Sequence, residues 1–281
     1  MWTLQTADAV DGPVGHSSGS TRGGRLTYSN GTVVTSALGS RGPEITIADT
    51  GRFTLVGDEG VIEHLAPTGV DRAAVALDLI GVVLPFALHR DGAWCIHASA
   101  VQFPDGVVAF VAPRGTGKST LATSCVQLGY ALVADDVVVM RQTGDGITVT
   151  PSGLPIRLRA ETARAVGADA DDVDVWGKVR VAGPVASADV PLVAVYVLTP
   201  VRSDAAVERI PRATRAAALA LLTNGKITEL LGGDAGGEAL TRCVALAHAT
   251  SVYDLAVPRD LSRLGDVTDL LATSHGGPAA T

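Results

Sequence analysis

The residues able to do chemistry cluster between Ala112 and Thr120, which read Ala112-Pro113-Arg114-Gly115-Thr116-Gly117-Lys118-Ser119-Thr120. Gly115 and Gly117 allow a turn in which successive backbone N–H groups point at one anion. A lysine beside such a turn adds a full positive charge for terminal phosphates, and a serine adds a hydroxyl for a bridging Mg²⁺. The motif G-x-x-x-x-G-K-[ST] normally opens on glycine, and Ala112 stands in that place here. Pro113 to Thr120 are therefore the expected nucleotide-binding residues, with Lys118 also catalytic and Ser119 also a metal ligand. The plainer reading is a glycine turn carrying an incidental Gly-Lys-Ser.

The flanking chain supplies the elements such a turn needs. Val107 to Val111 is a run of small and β-branched residues, as in a buried parallel strand. A helical stretch follows Lys118 and stops at Gly129. Tyr130 to Met140 then reads as a strand through Asp135 and Asp136. Strand, helix, strand predicts a right-handed crossover, with the first part of the later strand parallel to 107–111 and ending at the same edge, where ligands bind in such sheets. Two adjacent carboxylates there need a cation or a proton. Neighbouring strand residues face opposite sides, so the two aspartates are expected to do different work. Solvated turn aspartates are the alternative. Ala93 to Val101, joined to 107–111 through Pro104-Asp105-Gly106, predicts an antiparallel partner strand that brings His97 beside the phosphate site; a satisfied buried histidine is the alternative.

Length and composition bound the rest. The chain has 281 residues, 47% hydrophobic and 18% charged, which suits a globular protein with a sizeable core. A net charge of -7 with no basic run argues against a nucleic-acid partner. No signal-like start and no apolar run of about 18 residues is read; Ala73 to Leu88 comes nearest, interrupted by Asp78 and Pro85, so no membrane association and a cytoplasmic location are expected. The 3 cysteines and 6 histidines show no ligand spacing.

The fold expected is α/β: a P-loop domain over 70–281 with a mixed, partly antiparallel central sheet, preceded by a small β-rich region over 1–69 that is partly disordered at its start. In the first region, short strands at 25–28, 32–36, 44–48, 53–56 and 60–65 are separated by turn signals such as Asn30-Gly31. Val70 to His89 has helical apolar spacing and is expected to pack on the nucleotide domain. Further on, 136–141 and 146–150 predict a hairpin, and 169–174 an acidic loop that matches no calcium site.

Three segments together resemble a known family: Ile96-His97-Ala98-Ser99-Ala100-Val101, the turn from Ala112 to Thr120, and Gly129-Tyr-Ala-Leu-Val-Ala-Asp135-Asp136-Val137. They are similar to the C-terminal kinase domain of the HPr kinase/phosphorylase family, and closest to the short HPr-kinase-like proteins of bacterial peptide modification, such as lasso peptide kinases. The resemblance covers roughly residues 90 to 200, and more loosely the rest to about 272. It implies ATP and Mg²⁺, transfer of the γ-phosphate to a serine in a peptide or protein, Asp135 as the base on that serine, and His97 close to it. It also implies Ser119 as a metal ligand, with Asp136 the candidate for the second contact, and a homo-oligomer, since the family's kinases assemble as hexamers. Pro151-Ser-Gly-Leu-Pro-Ile-Arg157 stands where bifunctional members carry an Arg-Gly-Leu-Gly signature with a nearby acidic ligand, so phosphorylase activity is not expected. Gly177-Lys178-Val179-Arg180 resembles a Gly-Lys-Arg-like segment of the shorter relatives, and puts Lys178 or Arg180 over the γ-phosphate from a mobile loop. A small-molecule kinase and a nucleotide-binding regulator without transfer remain alternatives. Thr223-Asn224-Gly225-Lys226 resembles the guanine-reading N-K-x-D only superficially.

Overall fold

The computed structural model describes residues 2–28, 30–57, 60–144, 146–168, 173, 177–232 and 234–277. The expected acidic loop at 169–174 lies almost wholly outside the described residues. The chain forms two compact units, one from 1–91 with 227–239, the other from 92–226 with 240–281.

The first unit is a six-stranded sheet of β1 (Thr3–Thr6), β2 (Thr21–Thr27), β3 (Val33–Gly39), β4 (Gly42–Ile47), β5 (Gly51–Val56) and β6 (Val61–Leu65), in the order β1-β6-β5-β4-β3-β2. The hairpins form where turn signals separate alternating runs, and among these strand pairs of the described residues β1–β6 is parallel and the others antiparallel. Alternation puts Val34, Ile45, Ile47, Phe53, Leu55 and Ile62 on one face. That face packs against the helical stretch 72–90, through Val75, Val82, Val83 and Ala87, and against Leu230.

One expectation changes here. The stretch 72–90 belongs to the core of the β-rich unit rather than to the unit that follows, because its apolar stripe is what covers the sheet. It runs as α1 (Arg72–Asp78), a π-helical turn Leu79–Val83 and α2 (Leu84–Arg90). Arg72–Arg90 is, by length and composition, long and apolar enough to cross a membrane, a test that a helix covering a sheet passes as well.

The second unit is mixed α/β. Its strands are β7 (Trp94–Ile96), β8 (Ala98–Phe103), β9 (Gly106–Val111), β10 (Ala131–Asp135), β11 (Val138–Thr143), β12 (Gly146–Thr150), β13 (Ile156–Arg159), β14 (Lys178–Val181), β15 (Val190–Val201), β16 (Arg209–Pro211) and β17 (Ser251–Pro258). Its helices are α3 (Lys118–Gln127), α4 (Ala160–Ala165), α5 (Thr214–Thr223), the part of α6 (Asp234–Ala249) from Leu240 on, and α7 (Leu264–Ser274). The nine-stranded sheet runs β10-β8-β9-β15-β12-β11-β7, with β17 on β15 and β16 on β17. β9, β15 and β17 are parallel, with β9 buried along its whole length, and β8 pairs antiparallel with both β9 and β10. Hence β10 runs parallel to β9 as the crossover rule requires, with β8 inserted between them.

Two long strands break at the same level. The chain 94–103 leaves the ladder at His97, dividing β7 from β8, and the chain 131–143 leaves it at 136–137, dividing β10 from β11. On one side of the break Asp135 pairs Ser99; on the other Val138 pairs Ile96. The break puts His97 and Asp136 opposite each other, outside the regular hydrogen-bond pattern.

Candidate functional site

The turn between β9 and α3 is built as its glycines suggest. Gly115 and Gly117 have φ of 84° and 106°, values that a residue with a Cβ rarely adopts. A Cβ at either would meet open space, so the turn is not plugged by side chains. Pro113, Arg114 and Gly115 are exposed, while Lys118 and Thr120 at the helix start are buried. Lys118 Nζ donates to the carbonyl oxygens of Ala112 at 2.8 Å and Pro113 at 3.4 Å. Burial pulls the lysine down to about 8, against the pull of Asp136 and Asp135.

Asp135 closes the gap between the crossover strand and the turn. Its Oδ1 accepts the Ser119 hydroxyl at 2.8 Å and the Ser99 hydroxyl at 2.6 Å, and its Oδ2 accepts the Arg157 backbone N–H at 3.4 Å. Ser99 is fully buried. One helix's length of chain thus does bring a carboxylate onto the first turn of α3.

Asp136 does something different, as strand parity leads one to expect. The Val137 N–H donates to the Asp135 carbonyl at 2.9 Å, and Asp136, between them, has φ 68°. That is a three-residue turn of the rarer, strained hand, at a non-glycine residue. Its Oδ1 lies 3.0 Å from His97 Nδ1 and its Oδ2 accepts from Lys226 Nζ at 2.9 Å. Desolvation acts to raise the Asp136 carboxyl, but Lys226 and His97 outweigh it and hold the group well below the usual carboxylate range. Its side chain nonetheless keeps 44% of its surface.

The observed contacts differ from the expected neighbours. The expectation placed His97 beside Asp135 and paired Ser119 with Asp136; the structure pairs His97 with Asp136 and Ser119 with Asp135. The strand break at 136–137 is the cause, since it turns the second aspartate toward the parallel break at His97. Lys178 and Arg180 also differ from expectation, because they stand on β14, paired with β13, rather than on a mobile loop. Lys178 is still part of the site's field. Burial lowers it, Arg157 and Arg114 lower it further, and Asp136 and Asp135 oppose them.

Lys226 is the residue that sequence reasoning missed. Its signal, Asn224-Gly225-Lys226 after a helix, resembles a turn. In the fold it lies along β7: Asn224 O accepts the His97 N–H at 2.7 Å, and the Lys226 N–H donates to Cys95 O at 2.9 Å.

Among the described residues no group of three His, Cys, Asp or Glu side chains could hold a metal. Mg²⁺ needs no such cage, because it usually takes one or two carboxylates and completes its shell with water and substrate phosphates. The all-oxygen set of Asp135, Ser119 and Ser99 fits that habit.

No protein-family model matches the chain. No curated protein matches it either. Among solved structures it is similar to the HPr(Ser) kinase/phosphatase from Coxiella burnetii, at 14% identity and a TM-score of 0.35, over 65% of this chain and 95% of that one. A likeness this slight leaves the function to be argued from the chain's own residues.

Proposed function

We propose that the chain is an ATP-dependent kinase that transfers the γ-phosphate to a serine hydroxyl of a peptide or protein. The observation that carries this reading is the junction of an open glycine turn, a helix N-terminus and Lys118 with Asp135, whose carboxylate takes the hydroxyl of Ser119 at 2.8 Å. Among the described residues, Arg114, Lys118, Arg157, Lys178 and Lys226 lie in one field with Asp135 and Asp136, through the charges acting on the buried Lys118 and the half-buried Lys178. A surplus of cations within a chain of net charge -7 suits a polyanionic ligand.

The residue roles follow the pairings. The glycine turn and the first turn of α3 hold the phosphates, with Pro113 to Thr120 as the contact segment and Lys118 as its charge. Ser119 and Asp135 would hold Mg²⁺, which when bound offsets negative charge on the phosphates. Asp136, oriented by His97, is the carboxylate on the acceptor side, and the hydroxyl proton passes to it. Lys178, and Arg180 on the same face of β14, lie toward the transferred group.

A nucleotide-binding regulator without transfer is the second reading. It is favoured by Asp136 having one oxygen on His97 and the other on Lys226.

Incubation with MgATP and a panel of serine, threonine and tyrosine peptides and small alcohols, followed by mass spectrometry, tests the reading. A gain of one phosphate on serine peptides, abolished by Asp136→Asn, is the expected result. Phosphate found only on small alcohols would make it a small-molecule kinase. Nucleotide that is bound and never loses phosphate to any acceptor would leave the regulator.

A further inference from the structure

Lys226 is held in a way that a surface ion pair does not require. Its backbone is fixed on β7 by the Lys226 N–H to Cys95 O bond, by the His97 N–H to Asn224 O bond and by an antiparallel bridge between Gly225 and Ile96. The end of α5 is tied down as well: Thr223 Oγ1 and Asn224 Nδ2 both donate to Ala220 O, at 3.2 and 2.9 Å. The side chain retains 11% exposure, and its ammonium meets Asp136 Oδ2 at 2.9 Å. Asp136 in turn holds its unusual φ of 68° to reach it. Strain of that kind persists only where the surroundings over-determine it, and it gathers at ligand clamps.

The second ammonium is near the first. Asp136 raises the proton affinity of Lys118 while Lys226 and Arg114 lower it, so Lys118, Asp136 and Lys226 share one field. Asp136 meets the ammonium of Lys226 and its charge acts on Lys118, while its neighbour Asp135 holds the Ser119 hydroxyl at the first turn of α3. A terminal phosphate entering there carries more charge than a carboxylate and offers more acceptor oxygens.

We propose that Lys226 is a second phosphate-binding cation, which exchanges Asp136 Oδ2 for an oxygen of the nucleotide's terminal phosphate and so makes the site prefer a triphosphate to a diphosphate. The inference rests on the nucleotide-binding reading above and deepens it. The exchange is of one ion pair for another, with no bond made or broken covalently. It also releases one oxygen of Asp136, which in the structure is occupied, at the moment the triphosphate is seated. Lys118 stays on the glycine turn, so the two lysines approach the phosphates from different elements, α3 and the segment after α5.

The test is equilibrium binding of fluorescent ATP and ADP analogues, with Mg²⁺, to the full chain and to Lys226→Met, Lys226→Arg and Asp136→Asn. In Lys226→Met, triphosphate affinity falls at least about tenfold, the scale of a lost charge-assisted hydrogen bond, while diphosphate affinity stays within about twofold. Lys226→Arg restores part of the loss. Asp136→Asn, which removes the anion that competes for Lys226, binds the triphosphate more tightly than the unaltered chain. If Lys226→Met weakened both nucleotides equally, or Asp136→Asn gave no gain for the triphosphate, Lys226 would be a structural partner of Asp136 and the inference would fall. Unaltered chain that binds neither nucleotide removes the functional reading and the inference together. Unaltered chain that binds both, with Lys226→Met indistinguishable from it, removes the inference alone.

Discussion

A lysine that spends its ammonium on the carbonyls of its own turn is unusual in its acidity, and that makes it measurable. Lys118 is drawn from 10.5 to about 8, chiefly by burial. Below about pH 8 it carries its proton, and above that it sheds it in the free protein. Phosphate bound beside it favours the charged form, so binding takes up a proton in this range. Nucleotide affinity is therefore expected to be level up to about pH 8 and then to fall, by at most about tenfold per pH unit for one linked proton. Titrating a fluorescent ATP analogue from pH 7 to 9.5 measures this; a flat profile would show that Lys118 keeps its proton throughout. The stability effect has the opposite slope. An unfolded lysine holds its proton to about 10.4, so between there and about 8 the unfolded chain binds more protons, and this residue's contribution to stability rises with pH. The composition of the Ala112 to Ser119 segment was enough to single out Lys118 and Ser119. It was not enough to pair the aspartates, because strand alternation gives parity only while a strand continues, and the strand stops at Asp135.

At the scale of elements, what could be read was what is local. The turn signal around Gly51 marks a real hairpin, the one expected at Gly42-Pro43 falls two residues earlier because Gly42 and Pro43 pair with Gly39 and Leu38, and the hairpin expected from 136–150 forms with Thr143 opposite Gly146. Gly51 illustrates why such residues cannot be exchanged. It has φ 104°, and a Cβ there would run into the carbonyl oxygen of Leu65 on the neighbouring strand. Gly51→Ala is expected to destabilise the first unit by about 1–3 kcal/mol, seen as a lower urea midpoint. An unchanged midpoint would mean that β5 and β6 shift apart without cost. What could not be read was non-local. The 72–90 stretch has the same apolar spacing whichever sheet it covers, so its period cannot choose between them. Lys226 lies 90 residues from Asp136 in the chain, and only the laying of its segment along β7 brings it there. The matched breaks at His97 and Asp136 arise from register between strands, which a single strand's sequence does not contain.

Across the whole molecule the charge is uneven. The chain carries a net charge of -7, yet among the described residues lysines and arginines from α3, the glycine turn, β13, β14 and the segment after α5 gather near Asp135 and Asp136. Elements distant in sequence have been brought together to one anion-attracting place, within a single compact unit. The most direct test of the account is to follow the labelled γ-phosphate of ATP in the presence of serine peptides, with the unaltered chain and with Lys118→Ala. The account predicts label on peptide serine, and a fall of at least about a hundredfold in its rate for the variant, the usual scale when one preorganised electrostatic contact is removed. Label that reaches peptide equally fast without the lysine, or that never leaves the nucleotide for any hydroxyl, would contradict it.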